Sequence, residues 1–116
     1  MKPKKISLAY IAAFVECIEA VDMQKVYRLR QAIRAGKRLP PIDLRPPNKQ
    51  GYLVIDDGNH RTLAHLLEGK KTIEANVFYS LSPVEPSWRW PRIAPVAHTL
   101  ELFKSLLTGY GEATYS

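Results

Sequence analysis

The stretch Tyr52-Leu-Val-Ile-Asp-Asp-Gly-Asn-His-Arg-Thr-Leu-Ala64 decides the reading of this chain. Tyr52–Asp56 is β-prone and nearly all apolar, the pattern of a buried strand. Asp57-Gly58-Asn59 is a tight connection. His60–Leu67 then sets Leu63, Ala64 and Leu67 at helical spacing, with Gly69 as a stop. A helix that starts straight after a strand exposes its first backbone amides, which have no internal acceptor and sit at the positive end of the dipole. Such a terminus takes anions, phosphate above all. Gly58 permits close backbone approach, Arg61 can grip an oxyanion with two prongs, and His60 titrates near neutral pH. Gly58, Asn59, His60, Arg61 and Thr62 are therefore the candidate phosphate-binding set. Asp57 and His60 are the candidate catalytic acid or base, and Asp56 with Asp57 the candidate Mg²⁺ contacts. The competing reading is a plain strand–turn–helix junction capped by Asp57.

Working outward, Met23–Ala35 reads as a helix. Val26, Leu29 and Ile33 form its apolar stripe, Asp22 its N-cap and Gly36 its stop. Ahead of it, Leu8, Ile11, Val15 and Ile18 recur at three- and four-residue spacing, which predicts a first helix over Ser7–Ala20 with Ser7 as N-cap. Ile42-Asp43-Leu44 is a short strand behind Pro40-Pro41, and Pro46–Gly51 is a turn by composition. Ile73–Tyr79 alternates as a strand. Ser80–Pro95 holds four prolines around Trp88-Arg89-Trp90, an irregular segment whose aromatics either pack against the domain or join two copies in a homodimer. A last helix is expected over about Val96–Thr108, with a frayed tail after it. The order is α-α-β-β-α-β, a mixed α and β class.

At 116 residues and 46% apolar content this is one globular domain over 1–116, with a core over about 23–80 and an aromatic segment and helix over 81–109. The single Cys17 excludes an internal disulfide and a Cys-based zinc site, and its place on an apolar helix predicts burial. No stretch is long and apolar enough to span a bilayer, so no membrane partner is expected and the cytoplasm is the default location. The net charge of +6 equals the six cations Lys25, Arg28, Arg30, Arg34, Lys37 and Arg38; the rest of the chain balances. That segment is either a solvated face or a surface for phosphate, with Lys37 and Arg38 expected to support the Gly58–Arg61 loop. His65 shares a helix face with Arg61, and His98 has no evident role.

Leu29–Leu44, Tyr52–Ala64 and Leu66–Val77 together resemble the ParB/sulfiredoxin superfamily. The shared elements are a helix ending in Gly, a Pro-Ile strand, a hydrophobic strand into Gly-x-His-Arg, and a helix followed by a Gly-x-x-x-Ile-x-Ala-x-Val strand. The resemblance implies an α+β fold, a small mixed sheet packed with helices, here with a C-terminal helix added. It also implies nucleotide phosphates gripped at Gly58–Arg61, with ATP or CTP and Mg²⁺ as cofactors and a nucleotide or nucleic acid as partner. ParB proteins bind CTP and DNA with this fold. Sulfiredoxins use a Gly-Cys-His-Arg version with ATP; here Asn59 stands in place of that Cys, which argues against their chemistry. A free-serine-kinase branch shares Asp-Gly ahead of the loop, which points to Asp57 as base and to Glu16 or Glu19 for a second carboxylate. The usual opening strand of ParB domains is not evident, with only Lys2–Lys5 in its place, and no helix-turn-helix pattern follows. The expectation is a stand-alone phosphate-binding domain, with a Mg-dependent phosphotransferase or nuclease, or a non-catalytic interaction protein, as alternatives.

Overall fold

A computed structural model describes residues 2–99. Its strands are β1 (Lys4–Ser7), β2 (Ile11–Phe14), β3 (Ile42–Leu44), β4 (Leu53–Asp57), β5 (Thr72–Val77) and β6 (Ile93–Pro95). Its helices are α1 (Val15–Glu19), α2 (Met23–Arg34) and α3 (Asn59–Leu67). The strands form one mixed sheet in the order β1-β5-β3-β4-β2-β6. β2 runs parallel to β4 and β3 parallel to β5, while the other pairings are antiparallel.

The predicted first helix over Ser7–Ala20 forms only in its last part, as α1; the segment before it is a 3-10 turn and a strand. Ile11, Ala12 and Ala13 are fully buried in β2, between β4 and β6. Short apolar runs do not separate a helix from a buried strand by spacing, and burial on both faces overrides the helical preference of alanine. Ser7 does cap, but its Oγ accepts from the Ala9 amide to start a single 3-10 turn, Leu8–Tyr10. Lys4–Ser7 is the opening strand that seemed missing, paired with β5. Cys17 is exposed on α1 rather than buried. The core also reaches past 23–80, since it includes Leu8, Ile11, Ala13, Ile18 and Val96.

The other elements follow their local signals. Asp22 caps α2 by accepting from the Gln24 and Lys25 amides, and β3 spans Ile42–Leu44 as expected. Asn48, buried in the Pro46–Gly51 turn, accepts from the Gln50 and Tyr52 amides and donates to the Val84 carbonyl, which pins the proline-rich segment to the domain. β6 and a 3-10 turn over Val96–Thr99 follow; the remainder of the expected last helix lies outside the described residues. Trp88 and Trp90 are not buried against the domain. They are 81% and 69% exposed, and the Arg89 guanidinium lies 4.5 Å from the Trp88 ring centroid.

α2 and α3 lie side by side and parallel. At their starts, the Asp22 amide donates to His60 Nε2 at 3.1 Å. Towards their ends, Glu68 accepts from Arg30 and Arg34, each at 2.6 Å. Burial alone would raise the Glu68 pKa, but the hydrogen bonds from Arg34 and Arg30 outweigh it and hold the carboxyl below its usual range. Arg30 is buried, so removing the carboxylate breaks a buried ion pair and takes a charged acceptor away from an interior guanidinium. Glu68→Ala should cost about 3 kcal/mol of unfolding free energy. Urea denaturation measures it, and a loss below about 1 kcal/mol would show the network to be peripheral.

Candidate functional site

β2 and β4 are parallel neighbours, so their C-terminal ends share one edge of the sheet. α1 leaves from one and α3 from the other, the kind of edge at which open α/β sheets bind ligands. At the end of β4 the ladder shifts register: Asp43 faces Asp57 and Leu44 faces Ile55, so Asp56 has no Cα partner. The chain then turns through Gly58, which holds φ +115°. A Cβ there would lie 2.4 Å from Ile42 Cγ2 and 3.2 Å from an Arg61 nitrogen. Glycine is required on both counts, since conformation and space each exclude a side chain.

Gly58 is also the N-cap of α3 and has no side chain to offer the helix. The Thr62 amide bonds the Gly58 carbonyl at 3.0 Å, which leaves the amides of Asn59, His60 and Arg61 without an acceptor among the described residues. The residues that carry them line a cavity of about 470 Å³, together with Asp57, Gly58, Lys25, Leu29 and Pro40. The two helix starts that meet here differ. That of α2 is capped by Asp22, while that of α3 is bare and offers its positive dipole end to a ligand.

The sequence-predicted residues divide into several roles. Gly58 and Asn59 form the cradle, and Asn59 Oδ1 is buried with no hydrogen-bond partner among the described residues. Arg61 lines the cavity, but its guanidinium is largely committed. Nη1 donates to the Pro40 and Pro41 carbonyls at 3.0 and 2.7 Å, and Nη2 to Asp57 Oδ2 at 3.1 Å. It is a strut between α3 and the entry to β3 as much as an anion ligand. Thr62 is not a ligand: it is fully buried, with its hydroxyl donating to the Gly58 carbonyl at 2.9 Å. His60 is not a free base, because Nε2 already accepts from the Asp22 amide. Burial, and then the Lys25 charge, lower its pKa against a smaller opposing effect of Asp22.

Asp56 and Asp57 do not converge as a metal pair. Asp56 pairs with Arg45 at 3.2 Å and Asp57 with Arg61. Among the described residues no three His, Cys, Asp or Glu side chains group to hold a metal. The described residues therefore offer no ready-made cage for Mg²⁺. Lys37 and Arg38 line a different cavity, and Arg38 pairs there with Glu74. The cation that does reach the Gly58 cavity is Lys25, from the first turn of α2. In the sequence it is one of six cations in a segment that is either a solvated face or a surface for phosphate; the tie from Asp22 to His60 brings it to α3. Glu16 opens α1 at the same sheet edge, and its Oε1 is buried without a partner among the described residues. Glu19 is exposed.

A mixed sheet with a strand–Gly–helix junction at the edge of two parallel strands defines a domain of the ParB/sulfiredoxin type. The chain belongs to the ParB N-terminal domain family, which matches residues 3–81. Among solved structures it is similar to sulfiredoxin from Arabidopsis thaliana, with 26% identity over 67% of this chain and 85% of that one and a TM-score of 0.57. It is also similar in fold to free serine kinase in complex with AMP, with 14% identity over 71% of this chain and 33% of that one and a TM-score of 0.61. The same kinase as a variant with ADP aligns at the same identity, coverage and TM-score. The chain thus spans about a third of the kinase's length. No curated protein matches it significantly. No helix among the described residues is long and apolar enough to cross a membrane.

The His60 contact makes stability depend on pH. A histidine whose folded pKa is lowered favours folding when neutral. Its contribution is complete above the unfolded value of about 6.5 and declines as pH falls through that value towards the folded one. The melting temperature should therefore drop between about pH 7.5 and pH 5.5, above the range where carboxylates titrate. His60→Gln keeps an acceptor for the Asp22 amide without a titrating ring, and should flatten the slope. Equal slopes in the two proteins would dissociate the effect from His60.

Proposed function

We propose that this domain binds the phosphate groups of a nucleotide, ATP or CTP, in the cavity at Gly58–Arg61. The observation that carries the reading is the bare start of α3, three unpaired amides on residues that line a cavity with Lys25 on its wall. An anionic group there would meet amides, a helix dipole and a lysine, with Arg61 stiffening the wall. The volume suits a nucleotide's phosphate and sugar portion more than a bare ion. The kinase neighbours in complex with AMP and ADP support a nucleotide as the ligand class. Any Mg²⁺ would arrive on the phosphates, since the described residues form no cage for it.

Calorimetry with ATP, CTP, GTP and a DNA duplex, each with Mg²⁺, tests this. One nucleotide should bind, and Lys25→Ala should weaken it about tenfold or more while the fold persists. No heat with any of the four, or binding indifferent to Lys25→Ala, would leave the junction a structural turn. Trp88 and Trp90 would then become the surface to test, for self-association as an interaction protein.

A second reading, phosphotransfer or phosphodiester hydrolysis at the same cavity, rests on the buried, unpartnered Glu16 oxygen at the shared sheet edge. Asp57, exposed beside the cradle, is the other candidate acid or base. His60, already engaged, is a positioning residue in this reading. Asp57→Asn and Glu16→Gln should each lower Mg²⁺-dependent turnover by about 10²-fold or more while leaving nucleotide affinity nearly unchanged. Turnover unchanged in both variants would reject the catalytic roles.

A further inference from the structure

The parallel pairing of α2 and α3 also gathers their C-terminal ends, away from the Gly58 cavity. Each end turns through a left-handed glycine into a basic pair: Gly36-Lys37-Arg38 after α2 and Gly69-Lys70-Lys71 after α3. Between the two turns lies a cavity of about 240 Å³ whose polar lining includes Lys37, Arg38, His65, Lys70 and Glu74. His65 Nδ1 lies 2.7 Å from the Arg61 carbonyl, which can only accept, so this nitrogen donates and the ring is held in place. Arg38 pairs with Glu74, and Lys5 on β1 stands opposite Glu74 in the sheet. Lys5, Lys37, Lys70 and Lys71 form no ion pair among the described residues and are exposed.

Cations after a helix end commonly offset the negative pole of the dipole. Here that explanation falls short in magnitude. Two helix ends offset about one positive charge between them. Glu74 offsets one more. Five cations gather at this end, which leaves an excess of about three.

We infer that this surface is a second anion site, which binds the phosphodiester backbone of a nucleic acid with a phosphate seated between Lys37 and Lys70. The repeated charge of a backbone fits the layout, because Lys5 and Lys71 continue the cations beyond the cavity. No Phe, Tyr or Trp lines the cavity among the described residues, and the one aromatic ring there, His65, is tied to the Arg61 carbonyl, so binding reads the backbone rather than stacked bases. An anionic membrane fits less well, since the exposed Tyr10, Tyr79, Trp88 and Trp90 that could enter a lipid interface are not at this cavity. The site is independent of the nucleotide reading.

The test is fluorescence anisotropy of the full chain with labelled DNA duplexes of unrelated sequence, from about 50 to about 200 mM salt. The expected result is similar affinity for each duplex, with log K falling linearly against log salt. Lys37→Ala with Lys70→Ala should reduce that slope by about two and the affinity at about 50 mM salt by about tenfold or more. Both lysines are exposed, so a melting temperature equal to wild type checks the fold. The same double variant should leave calorimetric nucleotide binding unchanged. No duplex binding at about 50 mM salt, or a double variant that binds like wild type, overturns the proposal. So does binding lost in Lys25→Ala, which would move the DNA to the other cavity. Vesicles of phosphatidylserine and phosphatidylcholine are run in parallel, and binding to them without binding to duplexes assigns the surface to lipid and overturns it too.

Discussion

The close approach of Ile42 to the backbone of Gly58 is the constraint on which this domain turns. With β3 packed against the last turn of β4, the chain has room for backbone alone and must adopt a left-handed bend there. That bend starts α3 at once, with no side chain available to cap it. Arg61, one turn into α3, then ties the helix to the Pro40 and Pro41 carbonyls and to Asp57. Thr62 closes the same turn from inside. The result is a rigid junction whose unsatisfied groups are three amides at the mouth of a cavity. Helix starts usually satisfy such amides with a side chain, and leaving them bare is what makes an anion the natural complement.

The second organising feature is the parallel alignment of α2 and α3. His60 joins their starts and Glu68 their ends. Parallel alignment concentrates the dipoles, positive poles at the Gly58 cavity and negative poles at the basic turns. The cations of α2 and of the turn after it divide accordingly. Lys25 faces the first cavity, Arg30 and Arg34 are spent on Glu68, and Lys37 and Arg38 flank the second. What looks in sequence like one basic face is three separate uses of positive charge. Membership of the ParB N-terminal domain family accounts for the architecture, and the function is argued from the site.

Much of the fold was legible because its signals are local. Asp22 capping α2, Gly36 and Gly69 ending helices, Pro40-Pro41 ahead of β3, and the Asn48 turn each act within a few residues. The missed β2 shows the opposite case. Ile11-Ala12-Ala13 carries no strand signal of its own, and only β4 and β6 on either side make it one. Those partners lie far away in sequence, so no local spacing could point to them. β6 was hidden for the same reason inside a proline-rich segment.

For the site, the sequence by itself determined that a strand must turn through Gly58 into a helix beginning Asn-His-Arg. It thereby determined where bare amides would stand. It could not determine which side chains would join them. Thr62 turned inward, Asp56 went to Arg45, and His60 closed on Asp22, while Lys25 came to the cavity from another helix. The reason is the range of the forces. Backbone conformation and capping are settled by neighbours in the chain. Burial and ion pairing are settled by whatever the fold brings within a few ångströms, here groups 34 to 38 residues apart at Glu68, Glu74 and His60.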